Sequence, residues 1–86
     1  MTVTLRLFAA ARETAGRGLD EFEVHDVPTV DALLAVAVTS YGDAFADVLA
    51  RSRVWVNGDD PADGRAARLV DGDEVAVLPP VSGGIA

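Results

Sequence analysis

An α+β fold, with one main helix packed on one face of a mixed sheet, is predicted by three observations. Apolar residues alternate near both ends of the chain, at Val3, Leu5, Leu7 and at Val75, Val77. Between them Val30, Leu33, Leu34, Ala37, Val38 and Tyr41 recur at the spacing of a single helical stripe. Turn-forming Gly, Asp and Pro residues separate these segments, and no internal repeat or low-complexity tract interrupts them.

The elements follow in order. Thr2, Thr4, Arg6 and Phe8 alternate with the first apolar set, so a strand is expected near residues 2–9. Residues 9–15 have helical composition but are short, and Gly16 and Gly18 close them; a turn or single helical turn is expected. Residues 20–26 alternate again, with Phe22 and Val24 inward, completing a hairpin with the first strand. Pro28-Thr29 opens the main helix, with Thr29 as N-cap and Asp31 favoured by the dipole in the first turn. Gly42 ends it, and Asp43 is the candidate cap of a shorter helix through Phe45, Val48 and Leu49. A strand at 53–57 stops at Gly58-Asp59-Asp60-Pro61. Asp71-Gly72-Asp73 is a strong turn signal, and a last strand at 74–78 ends at Pro79.

The first and last strands are the most apolar, so both are expected at the centre of the sheet, paired with each other. The helical stripe must cover one sheet face. Hairpin, helix, strand and final strand in this order describe a β-grasp, or ubiquitin-like, roll. The chain has 86 residues, enough for one domain that buries roughly 60% of its unfolded surface. Residues 1–80 form that domain and residues 81–86 a flexible C-terminal tail carrying Gly83-Gly84.

Composition excludes several classes of chemistry. A net charge of −7 opposes binding to a phosphate backbone and suits a partner with a basic surface, so no nucleic-acid partner is expected. With no cysteine there is no disulfide, thiolate metal site or thiol nucleophile, and His25 alone cannot build a metal site. All seven cationic side chains are Arg, so no side-chain amine can accept an isopeptide bond. The N-terminus lacks the pattern of a signal peptide. The apolar run 32–38 is far short of the ~20 residues of a membrane helix. A cytoplasmic protein without membrane association is the expectation.

One helix layer leaves the other sheet face open. Strand parity places Val3, Leu5, Leu7, Val54, Val56, Val75 and Val77 in the core, and Thr2, Thr4, Arg6, Phe8, Arg53, Trp55, Glu74, Ala76 and Leu78 on the opposite face. Phe8, Trp55 and Leu78 are large and apolar in an otherwise mostly polar set, which marks them as a candidate partner-docking patch.

Phe8-Ala9-x-x-Arg12-Glu13, then Val56-Asn57, then Leu69-x-Asp71-Gly72-Asp73-Glu74-Val75-Ala76 and Leu78-Pro79-Pro80-Val81-Ser82-Gly83-Gly84, resemble the small-subunit family of molybdopterin synthase. These are ubiquitin-like sulfur carriers of the MoaD/ThiS type. The resemblance spans nearly the whole chain, and the closing stretch is its most specific part. It implies that a ubiquitin-activating-enzyme-like adenylyltransferase uses ATP to adenylate the Gly84 carboxylate, and that sulfur displaces AMP to leave a thiocarboxylate. It also implies that the large subunit of molybdopterin synthase draws in the tail and passes the sulfur to a pterin precursor. The chain is then not catalytic alone and binds no cofactor stably. Gly84, with Gly83, is the reacting end, and Phe8, Trp55, Leu78, Pro79, Pro80, Val81 and Ser82 are the partner contacts.

The tail chemistry agrees with its residues. Gly83 and Gly84 have no Cβ to hold a backbone away from a nucleotide or pterin site. Pro79-Pro80 keep the base extended and out of sheet pairing. Val81 to Gly84 span roughly 13 Å when extended, at ~3.3 Å per residue. Arg12 and Glu13 either contact a partner or tie the first loop to the body; the second is favoured. The acids of 71–74 read as a solvated turn rather than a metal site.

Two departures stand out. Ile85-Ala86 follow Gly84, so its carboxylate is held in a peptide bond and a C-terminal processing peptidase is implied. A carrier homologue that has lost activation, or a quirk of the gene, would also account for the dipeptide. After Val56-Asn57, Gly58-Asp59-Asp60-Pro61 stands where the family tends to place an apolar contact residue, which implies a partner with a basic rim. A carrier for thiamine or cysteine synthesis, a ubiquitin-like protein modifier and a non-activated binding module remain open alternatives.

Overall fold

The computed structural model describes residues 1–80. Along the chain run β1 (Thr2–Leu7), α1 (Ala9–Ala15), β2 (Leu19–Glu23), α2 (Val30–Tyr41), α3 (Asp43–Leu49), β3 (Arg53–Val56), a 3₁₀ turn (Gly64–Ala66) and β4 (Glu74–Leu78). The sheet order is β2-β1-β4-β3. β1 pairs antiparallel with β2 and parallel with β4, while β3 pairs antiparallel with β4. The two most apolar strands therefore sit at the centre, as their patterns predict.

Leu5 faces Val75 and Leu7 faces Val77 across the parallel pair, and all four are buried. Val30, Leu33, Leu34 and Ala37 of α2 join them in one core, with Phe45, Val48 and Leu49 of α3. Thr29 caps α2 as expected, its Oγ1 accepting from the Ala32 N–H at 3.1 Å. At the other end the Tyr41 ring meets Phe45 edge-on at 5.0 Å, and its hydroxyl donates to Asp20 Oδ2 at 2.6 Å. Burial and the Asp20 carboxylate together push the phenol well above its ordinary pKa, against a weaker opposing pull from Arg17.

Several expectations need correction. Residues 9–15 form a full α-helix rather than a single turn, because Ala11 is completely buried and Gly16 supplies a left-handed C-cap at φ +78°. The chain enters α1 through Ala9 at φ +48°, and β1 ends at Leu7. Asp43 lies inside the first turn of α3; Gly42 occupies the cap position, and no side chain caps that helix. Val54 and Val56 are only half-buried. β3 is an edge strand with a neighbour on one side only, so its inward face is less completely covered than that of β1 or β4.

The Asp71-Gly72-Asp73-Glu74 segment is a structural staple. Asp71 Oδ1 accepts from the Thr2 N–H at 2.8 Å, and Asp73 Oδ2 accepts from the Val70 N–H at 2.9 Å. Asn57 Nδ2 donates to Asp73 Oδ1, and Asn57 Oδ1 accepts from the Glu74 N–H, both at 2.9 Å. Asn57 holds φ +54°, a left-handed conformation that Asn tolerates better than most residues. Gly72, at φ +89°, donates its N–H to the Thr2 carbonyl at 2.8 Å. The motif thus sets the register of β4 at its start, against the beginning of β1 on one side and the end of β3 on the other.

Two stability outcomes follow. Phe45→Ala is expected to cost about 3–5 kcal/mol in urea unfolding, because it empties a fully buried site. Asn57→Ala is expected to cost about 1–2 kcal/mol, removing two exposed hydrogen bonds and the residue suited to positive φ. A loss below a few tenths of a kcal/mol there would show that the staple does not hold the strands.

Candidate functional site

The site lies at the end of the sheet where β4 finishes. Parallel pairing carries the end of β1 to this same end, and antiparallel pairing brings the start of β3 there, with Arg53 opposite Leu78. Pro79 and Pro80 follow directly. Trp55, Leu78, Pro79 and Pro80 line one groove of about 370 Å³, together with Arg51 and Arg53. Trp55, Leu78 and Pro79 are half-buried, and Pro80 is exposed.

Phe8 does not line this groove. It stands at the junction of β1 and α1 in an extended conformation, φ −120° and ψ +153°, and is 43% exposed. Leu7 pairs with Val77, so Phe8 emerges beside the last residues of β4, at the same end as the groove. The structure gathers Trp55, Leu78, Pro79 and Pro80, and keeps Phe8 as a separate exposed ring nearby. Val81, Ser82, Gly83 and Gly84 lie outside the described residues, as does the whole expected tail, 81–86.

The middle of the open face is built in register. Arg6 faces Leu19 on one side and Ala76 on the other, and Ala76 faces Trp55. The Arg6 Nε donates to Glu74 Oε2 in an ion pair whose two side chains are 49% and 43% exposed. Such an exposed pair adds little stability, but it draws the guanidinium toward the start of β4, where Glu74 lies opposite Thr4. Leu19, 50% exposed, extends the open face toward β2. Starting the second strand at residue 20 hides this residue; its shared parity with Glu21 and Glu23, opposite to Phe22, is the signal that reveals it. Arg51 is also absent from the sequence-level site, because it lies in the turn before β3, where strand parity carries no information.

Arg12 lies across Gly18: a Cβ on that glycine would stand 3.3 Å from Arg12 Nε. With Ala9, Glu13, Gly16 and Arg17 they line an open cleft of about 490 Å³. That packing agrees with the structural role favoured for Arg12. Asp71 and Asp73 direct carboxylate oxygens at backbone N–H groups and at Asn57, and no metal-binding group of three His, Cys, Asp or Glu occurs among the described residues. Asp59 and Asp60 are exposed beyond the far end of β3. No helix of the described residues is long and apolar enough to cross a membrane.

The sequence pattern of the ThiS family matches residues 5–84. The chain is 34% identical to the molybdopterin synthase sulfur carrier subunit of Chlamydomonas reinhardtii, over 98% of this chain and all of that one. It is 37% identical to small archaeal modifier protein 3 of Haloferax volcanii, again over 98% of this chain and all of the relative. The crystal structure of SAMP1 from Haloferax volcanii superimposes with a TM-score of 0.81 at 29% identity, covering 98% of this chain and 100% of that one. On this agreement of sequence, sheet order and helix placement, the chain belongs to the ThiS family and has the ubiquitin-like β-grasp fold.

Proposed function

We propose that this protein is a sulfur carrier acting as the small subunit of a molybdopterin synthase, carrying sulfur as a thiocarboxylate on Gly84 once Ile85-Ala86 have been removed. The observation that supports this most directly is the position of Pro79-Pro80. Central pairing of β4 delivers them to the sheet end that also presents Trp55, Leu78 and Phe8. A partner gripping that apolar surface would stand over the start of the tail. The resemblance to the Chlamydomonas subunit over its full length supports the molybdopterin branch.

The chemistry runs through the main chain. A peptidase frees the Gly84 carboxylate. The activating enzyme joins it to the α-phosphate of ATP, releasing pyrophosphate, so that AMP becomes a leaving group. Sulfide, HS⁻, attacks the carbonyl carbon, AMP departs with the electrons of the acyl C–O bond, and loss of the S–H proton leaves the thiocarboxylate. The large subunit then takes the loaded tail. The body supplies affinity and placement, and the carrier needs no side-chain thiol, in keeping with a chain that has no cysteine.

The archaeal relative favours a second reading, a ubiquitin-like modifier whose Gly84 is joined to amines on target proteins. The two differ in what becomes of the activated carbonyl, which is captured by sulfur in one case and by nitrogen in the other.

Intact mass of the protein from its host separates these readings. The carrier is expected to lose Ile85 and Ala86 and then gain the mass of one oxygen-to-sulfur exchange. Only full-length protein in cells with active molybdoenzymes would overturn the maturation step, and high-mass conjugates would support the modifier. A Phe8→Ser/Trp55→Ser variant is expected to bind the large subunit at least about tenfold more weakly. Its melting temperature should fall by no more than about 8 °C, since Phe8 is exposed and Trp55 only half-buried. Complete unfolding would place these residues in the core.

A further inference from the structure

The groove at the tail exit carries a charge pattern that apolar docking alone leaves unused. Arg51 follows α3, with its Nε directed at the Asp47 carbonyl at 3.4 Å. Arg53 begins β3 opposite Leu78. Both are exposed, and the ion pairs among the described residues involve the N-terminus, Arg6 and Arg17, not these two. They border the surface formed by Trp55, Leu78, Pro79 and Pro80.

The opposite end of the same two strands is acidic. Asp71, Asp73 and Glu74 stand at the start of β4, and Asp59 and Asp60 just beyond the end of β3. In a chain of net charge −7, an acidic partner segment is repelled over most of the surface and accepted where guanidinium groups are free. Guanidinium is planar, stays charged, and presents a fork that matches a carboxylate, while the indole of Trp55 offers a flat apolar wall. A lone hydrophobic side chain would use the surface and ignore the arginines. A lone acid would do the reverse.

We infer that this groove receives a partner segment that sets an apolar side chain against Trp55 and Leu78 and a neighbouring carboxylate against Arg51 and Arg53. The inference rests on the carrier reading in one respect: the segment belongs to the protein that takes the tail, because the groove includes Pro79 and Pro80, from which the tail departs. Arg51 and Arg53 then decide which partner docks and in which orientation. The acidic far end turns away a segment presented in reverse.

The test is titration calorimetry of the processed full carrier against the large synthase subunit of the same host, at low and high salt. Arg51→Glu/Arg53→Glu is expected to weaken binding at least about tenfold and to reverse or abolish the favourable effect of low salt. Arg51→Lys/Arg53→Lys should retain part of the affinity, because charge persists while the planar fork is lost. Arg65→Glu, an exposed site on the 3₁₀ turn, should stay within about twofold of the parent. Equal binding by the double Glu variant and the parent overturns the inference and leaves the carrier reading standing. An equal loss in Arg65→Glu overturns it too, reducing the effect to net charge. If the parent itself fails to bind, the docking reading and this inference fall together. Should the double Glu variant melt early, Arg51→Gln/Arg53→Gln serves with the same expected direction.

Discussion

Parallel pairing of β1 with β4 is the constraint on which the molecule depends. It joins residues near the two ends of the described chain, so its hydrogen bonds close the longest loop in the fold. Nothing local rewards that closure. The return comes from burial: Leu5 against Val75 and Leu7 against Val77 form the floor on which α2 packs. The staple formed by Asp71, Asp73 and Asn57 then selects one register from the several that alternating apolar strands would allow.

The placement of the candidate site is a direct product of that pairing. Because β1 and β4 run parallel, Phe8 and Leu78 reach the same end of the sheet. Because β3 runs antiparallel to β4, Arg53 and Trp55 join them there. The fold therefore gathers at one end of the sheet an exposed aromatic ring, an apolar groove, two exposed guanidinium groups that form no ion pair among the described residues, and the prolines at the base of the tail. The motif that looks most like a reactive acidic cluster, residues 71–74, is placed at the other end of β4, where it holds backbone.

Legibility from sequence followed burial and periodicity. The α2 stripe, the Thr29 cap and the central strands were readable because each obeys one period and one boundary rule. Residues 9–15 suggest a turn or a single helical turn, since seven residues cannot sustain a helix by propensity alone; burial of Ala11 against the core decides the matter. Val54 and Val56 read as core because parity tells inward from outward but says nothing of how completely a neighbour covers an edge strand. Leu19 lies one residue before the alternating run that begins at Asp20, and Arg51 lies in a turn, where strand parity carries no information.

The sequence by itself determined the class of fold, the two central strands, the main helix and the tail motif, because each rests on contiguous residues whose side-chain chemistry needs no distant partner to be recognised. Tertiary structure alone decided that Phe8 stands apart from the groove and that Arg51 and Arg53 border it. It alone gave Asp71 and Asp73, in their exposed turn, backbone N–H groups to hold, and gave Glu74 the Arg6 guanidinium. Those outcomes turn on register and strand order, which bring together residues far apart in the chain, and no local pattern encodes how those residues meet.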